Sequence, residues 1–346
     1  MNEINKTKQA FKATTMSSYL RETMPADMAA FVEGGNTRSG YDNLDAVTNL
    51  YPGLYFLGAI SSLGKTTFIH QMADQLARDG KPVLFFSLEQ STLELATKSL
   101  SRIMAQKDAE NAMTSLQIRK KGGDPRVEEA VKQYEAYADK LTVIECSFRA
   151  TIDDITSYVE AYIKQNEVKP VVIIDYLQVI QTDGKMSTKE AVDMNVRRLK
   201  QLQSDNKLVL LVISSLNRQN YMTLIDYESF KESGGIEYTA DVIWGLQLEV
   251  LHDSIFDAQG KINEKREKVQ KAKAANPRRV ELVCIKNRFG ISSYRCSFDY
   301  YPQFDWFKPD LTDIDTSLTN LEEDNDGRTT IPEYMQMALE MENPFT

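Results

Sequence analysis

Eight consecutive residues, Ala59-Ile60-Ser61-Ser62-Leu63-Gly64-Lys65-Thr66, follow an apolar run and open a helical one. In that setting a loop turns successive backbone N–H groups toward an anion at the positive end of the helix, and Gly64 lets the anion come close to the backbone. Lys65 would supply charge to the β- and γ-phosphates of a nucleotide, and the Thr66 hydroxyl could ligate Mg²⁺. Ser61, Ser62, Leu63, Gly64, Lys65, Thr66 and Thr67 are therefore candidate contacts for ATP. The phosphate-loop pattern asks for glycine where Ala59 stands, and the competing explanation is a chance Gly-Lys-Thr at a helix start.

Two carboxylates extend the constellation. The run Val171 to Ile174 delivers Asp175 at a strand C-terminus, where ligands bind in α/β sheets, and an aspartate there can hold Mg²⁺ or its water. Thr66 and Asp175 are thus the candidate metal contacts. Leu84 to Ser87 likewise delivers Glu89, a carboxylate able to orient and deprotonate a water that attacks the γ-phosphate. Each carboxylate alone reads equally well as a loop residue. With Lys65 and Thr66 at a third strand end, the set points to Mg²⁺-dependent ATP hydrolysis. Only His70 and His252 are present, and Cys146, Cys284 and Cys296 form no CxxC pair. That usage argues against histidine metal or triad chemistry, a structural zinc site and a disulfide framework, and fits a reducing cytoplasm.

These residues need a sheet to hold them, and the pattern supplies one. Apolar strands are expected at Leu54 to Ile60, Pro82 to Ser87, Leu141 to Cys146, Pro170 to Asp175, Leu208 to Ser214, Val242 to Leu248, Val280 to Lys286 and Ser292 to Phe298. Between them helical spacing predicts Lys65 to Arg78, Thr92 to Gln106, a helix capped by Thr151, and one that Ser187 and Glu190 open as a capping box. Near-continuous β-branched runs separated by helices imply an α/β fold of the P-loop type, mostly parallel with helices on both faces and an antiparallel extension. Residues 1–36 read as an arm with short helices interrupted by Pro25, 37–308 as the main domain, and 309–346 as an acidic tail with a short helix after Thr330. Lys261 to Arg279, with eight basic residues, reads as an exposed basic helix and most simply as a solvated face.

The chain has 346 residues, 42% hydrophobic and 26% charged, as in an ordinary globular protein. No apolar run approaches the roughly 20 residues of a membrane span. A net charge of −9 argues at first against nucleic acid. The segment after Pro309, however, holds ten acidic residues against Arg328 alone, so the tail carries the whole excess and the body is formally neutral. The body must therefore be judged on its local patches, and the apolar face of the tail's short helix would dock on a partner.

In order along the chain stand Gly40-Tyr41-Asp42-Asn43-Leu44-Asp45, the phosphate loop, Phe86-Ser87-Leu88-Glu89, Asp175-Tyr176-Leu177-Gln178, Ser214-Ser215-Leu216-Asn217-Arg218, Glu232-Ser233-Gly234-Gly235-Ile236-Glu237 with Ala240-Asp241, and Lys286-Asn287-Arg288-Phe289-Gly290. This series resembles the C-terminal RecA-like motor domain of DnaB-type replicative helicases from about Thr37 to Lys308. The resemblance implies a hexameric ring that hydrolyses ATP between subunits and moves along single-stranded DNA in replication. It implies that Lys286 and Arg288 complete a neighbour's catalytic site, that Lys231, Glu232, Gly234 and Gly235 belong to a DNA-facing loop, and that Ser215, Asn217 and Arg218 form a γ-phosphate sensor. Ser215 stands where the family usually has Gln, and Lys231 where it has Arg. The family's primase-binding collar is not expected within the 36 residues before the motor, which could at most supply the linker helix that docks on the next subunit. The segment 261–279 replaces a shorter connection, and Glu342-Asn343-Pro344-Phe345 is similar to acidic partner-recruiting tips, although Thr346 follows. A RecA-like ATPase that assembles with nucleotide and loads or controls replication partners is the second reading. A small-molecule kinase is a third, disfavoured by the natural hydrolytic roles of Glu89, Lys286 and Arg288.

Overall fold

The computed structural model describes residues 14–35, 37–121, 123–147, 149–180, 187–216, 222–230 and 234–312. Their strands are β1 (Gly53–Ala59), β2 (Val83–Ser87), β3 (Leu141–Glu145), β4 (Val171–Asp175), β5 (Val209–Ser215), β6 (Val242–Leu248), β7 (Arg278–Asn287), β8 (Arg295–Tyr301) and β9 (Trp306–Pro309). Among the described residues they form one sheet in the order β3-β2-β4-β5-β1-β6-β7-β8-β9. The first six in that order pair in parallel, and β7, β8 and β9 add on antiparallel. Strands β1, β2, β4 and β6 are buried along their whole length, as expected of parallel strands covered on both faces.

Among the described residues the α-helices of six residues or more are α1 (Met24–Gly35), α2 (Lys65–Arg78), α3 (Thr92–Lys107), α4 (Ser115–Lys120), α5 (Pro125–Ala138), α6 (Ile152–Asn166), α7 (Thr188–Asn206), α8 (Gly234–Thr239) and α9 (Ile262–Ala274). Capping boxes at Ser91, Thr114, Thr151 and Ser187 start α3, α4, α6 and α7, each satisfying otherwise orphaned backbone donors. Helix α2 buries Phe68, Ile69, Met72 and Leu76, worth about 1.5–3 kcal/mol per large side chain. Tyr41, fully buried, donates from its hydroxyl to Phe68 O at 2.8 Å and stacks on the Phe68 ring. Asp45 accepts from Ser39 and Gly40, so the first of the expected motifs serves as a buttress under α2.

Three expectations need correction. The basic segment is not one helix to Arg279, because α9 stops at Ala274 and Arg278 and Arg279 begin β7 after Asn276-Pro277. Pro25 does not interrupt the arm: a π turn at Tyr19–Thr23 precedes it, with Met24 N–H reaching back to Tyr19 O, and the chain runs on helically into α1. Helices α4 and α5 and strand β9 were not expected at all. The tail helix, its tip and the compositional reading of the tail lie outside the described residues.

Candidate functional site

Strand β5 lies between β1 and β4, so the loops after β1, β4 and β2 open on the same edge of the sheet. Gly64 caps α2 with φ of +93°, a backbone state that L side chains rarely adopt. A Cβ there would also lie 2.9 Å from Phe307 and 3.0 Å from Tyr300. The Thr66 hydroxyl donates to Asp175 Oδ2 at 2.7 Å, joining the start of α2 to the end of β4 across β5. Asp175 is 1% exposed, and burial, with Glu89 nearby, pushes its carboxyl up to about 6 while the Thr66 bond pulls the other way. Lys65 Nζ donates to Ala59 O at 3.0 Å, and burial lowers its pKa against the opposing pull of Asp175 and Glu89.

Glu89 reaches the site through a local turn. Leu88 N–H donates to Asp175 O, and the Ser87 hydroxyl donates to Gln90 O, fixing the bend between them. The Glu89 side chain is exposed at the mouth, as a residue that must meet water and substrate would be. Hard oxygen donors from one hydroxyl and one buried carboxylate suit Mg²⁺, which keeps several waters and takes few protein ligands. Ser215 pairs with Ala59 at the root of the phosphate loop. Gln178, not singled out for a role by spacing, donates to the Ser214 hydroxyl at 2.8 Å and accepts from Ser215 N–H, so an amide side chain does stand beside Ser215. Asn217, Arg218, Lys231 and Glu232 lie outside the described residues.

Gly234 and Gly235 open α8. A Cβ on Gly235 would lie 2.3 Å from Asp193 Oδ1 and 3.2 Å from Asp193 Cα, so α8 packs closely on α7 here and a side chain would displace the Asp193 carboxylate. Lys286 Nζ donates to Glu237 O at 2.6 Å, tying α8 to β7, and burial with Arg288 beside it lowers its pKa. Arg288 donates to Asp241 Oδ1 at 3.1 Å. The carboxylate of Asp241, 4% exposed, also accepts from Leu54 N–H at 2.8 Å and Lys200 Nζ at 2.5 Å, which makes it the hub for this end of the sheet. Lys98 is a further cation the spacing did not reveal; it lies 3.4 Å from Asp305 and from the Thr67 hydroxyl. Among the described residues no helix is long and apolar enough to cross a membrane.

Known proteins resemble this chain over its main domain. The family model of the DnaB-like helicase C-terminal domain fits residues 36–308. A probable replicative DNA helicase of Trieres chinensis is 26% identical over 286 residues, covering 79% of this chain and 58% of the relative. The replicative DNA helicase DnaB of Helicobacter pylori strain J99 is 26% identical over 283 residues, covering 73% and 56%. The chain thus spans rather more than half the length of the curated relatives it matches. Among solved structures, the ATPase domain of G40P superposes with a TM-score of 0.65 at 19% identity, covering 86% of this chain and 99% of that one. A DnaB-like replicative helicase studied with primase gives 0.66 at 18% identity, covering 85% and 69%. These likenesses carry the RecA-like fold, and the family model carries membership: the chain belongs to the DnaB-like helicase C-terminal domain family.

Proposed function

We propose that the chain is the motor of a DnaB-like DNA helicase, hydrolysing ATP at the junctions of a homo-oligomeric ring, hexameric as in the family resemblance, and moving on single-stranded DNA. The observation that carries this reading is the Thr66 to Asp175 hydrogen bond with Lys65 and Glu89 around it. Thr66 and Asp175 would hold Mg²⁺, which would neutralise charge building on the β- and γ-phosphate oxygens. The N–H groups of Ser61 to Thr67 and the Lys65 ammonium bind the phosphates, and Glu89 takes the proton of the attacking water. Lys286 and Arg288 serve the site of the adjacent subunit. A planar, permanently charged Arg suits that task because it can meet spreading negative charge with two donors at once.

Helix α8 begins with Gly234 and Gly235 of the proposed DNA loop, and Lys286 ties its carbonyl end to β7, which Arg288 directly follows. That link supports coupling between the DNA loop and the neighbouring ATP site. The arm supports a ring: Met16, Leu20, Met28 and Phe31 expose 51–68% of their surface, an apolar face suited to docking on the next subunit. ATP turnover measured with and without single-stranded DNA, together with unwinding of a forked duplex, tests the proposal. Nucleotide binding with neither stimulation nor unwinding would overturn it.

A further inference from the structure

The last turn of helix α9 reaches the phosphate loop. Lys273, in its last turn, lies 3.3 Å through Nζ from Ser61 O, and Arg278, which starts β7, donates from Nη1 to Ser62 O at 2.8 Å. The other terminal nitrogen of Arg278 caps Lys273 O, so helix end and strand start are locked together over the phosphate loop. The guanidinium also stands 5.5 Å from the centroid of the Tyr300 ring, which stacks on Phe307 at 4.1 Å. These are the two rings that leave no room for a Cβ at Gly64.

The loop has reason to need such a brace. It keeps only Gly64 from the usual glycines, and Ser62 holds a φ of +65° in the left-handed region that disfavours a side chain. In a trans peptide the C=O and N–H of one unit point in opposite directions. A cation that draws Ser61 O and Ser62 O outward to α9 therefore turns the N–H groups of Ser62 and Leu63 the other way, into the crevice where phosphate would lie.

We propose that Lys273 and Arg278 are positioning residues of the nucleotide site: from the basic insertion they hold the Ser61 to Leu63 peptide units in the phosphate-binding orientation. They do by charge what glycine does by conformational freedom. This rests on the reading of residues 59–66 as a nucleotide site, and the experiment separates the two.

A fluorescent ADP is titrated into the full chain, into Lys273→Ala, Arg278→Ala, Arg278→Lys and Lys65→Ala, with ATP turnover measured in parallel. Loss of one charge-assisted bond should weaken ADP binding and raise KM for ATP by about tenfold, with kcat at saturating ATP within about twofold of wild type. Arg278→Lys, which retains a donor, should recover part of the loss, a recovery that generic destabilisation would not give. Lys273 is half-buried on a helix end, so Lys273→Ala carries the test even if Arg278→Ala melts early. If the wild type fails to bind ADP, the nucleotide reading falls. If it binds and the Lys273 and Arg278 variants bind as tightly, or lose kcat at unchanged KM, the positioning role is overturned.

Discussion

Arg288 leaves β7 at the end of the sheet opposite its own phosphate loop. Its partner Asp241 accepts from Leu54 N–H at the start of β1, whereas the phosphate loop begins after Ala59. Five residues of strand separate the two levels, about 16 Å at 3.3 Å per residue. No arginine side chain spans that gap, so Arg288 acts on a neighbour's nucleotide or on none. Arg288→Ala should keep the fold, since the buried Asp241 retains Lys200 and Leu54 N–H and the arginine side chain it loses is 51% exposed, where screening by water limits the contribution of the pair to about 1 kcal/mol. Turnover should nevertheless fall on the order of a thousandfold or more, as for arginines that stabilise phosphoryl transfer. Lys65→Ala should be inactive for the complementary reason. In rings formed from equal amounts of both variants, an intact phosphate loop meets an intact Arg288 at about a quarter of the interfaces. Phosphate release from remixed subunits, with assembly checked by size, should therefore recover to about a quarter of the wild-type rate. An Arg288→Ala protein active within tenfold of wild type, or mixtures no better than their parts, would refute the trans assignment.

Other outcomes follow from single residues. Glu89→Gln should bind ATP as the wild type does yet release phosphate at a rate lower by at least a hundredfold, as expected for loss of a general base; normal turnover would remove Glu89 from that role. His70 is fully buried with neither ring nitrogen bonded, and burial lowers its pKa to about 4 from 6.5. The unfolded chain thus takes up the proton first, so stability is unaffected above pH 6.5 and falls as pH drops toward 4, by about 3 kcal/mol in all. Urea unfolding of His70→Leu should lack that part of the acid slope, and an unchanged slope would show that another group carries it. Arg102 and Asp74 form an ion pair at 3% and 4% exposure between α3 and α2. Arg102→Ala should cost about 3–5 kcal/mol by leaving a buried carboxylate unpaired, and a melting temperature close to wild type would contradict that.

Much of this architecture was legible because its signals are local. Val171 to Ile174 reads as a buried parallel strand from four consecutive apolar β-branched residues, and the bounds of α2 follow from Gly64 before it and Asp79-Gly80 after it. Helix α4 escaped because it buries only Ile118 and is too short to show a period, whereas α5 does space Val127, Ala130, Val131 and Tyr134 helically, around a small cluster separate from the main core; Thr114 with Gln117 and Asp124-Pro125 were the further signals for their starts. Strand β9 is only four residues long, below what alternation can register. In the site, Lys65 with Thr66, Asp175 and Glu89 stood out because they follow three separate strand-like runs. Contacts of Lys273 and Arg278 with the phosphate loop join residues 212 and 216 apart in sequence, and Asp241 meets Leu54 at a separation of 187. Spacing within a window carries no trace of such pairs. A basic helix consequently reads as solvated until the fold brings its end against a carbonyl.

If this site drives movement on single-stranded DNA, the full chain should separate a forked duplex with ATP, followed with Glu89→Gln as the hydrolysis-dead control and with phosphate release measured in the same reaction. Strands should separate with the wild type alone, and phosphate release should rise when single-stranded DNA is added. An oligomer that forms with ATP but has no affinity for single-stranded DNA, no DNA-dependent turnover and no strand separation would contradict that role, and would instead match an assembly ATPase that controls its partners by nucleotide state.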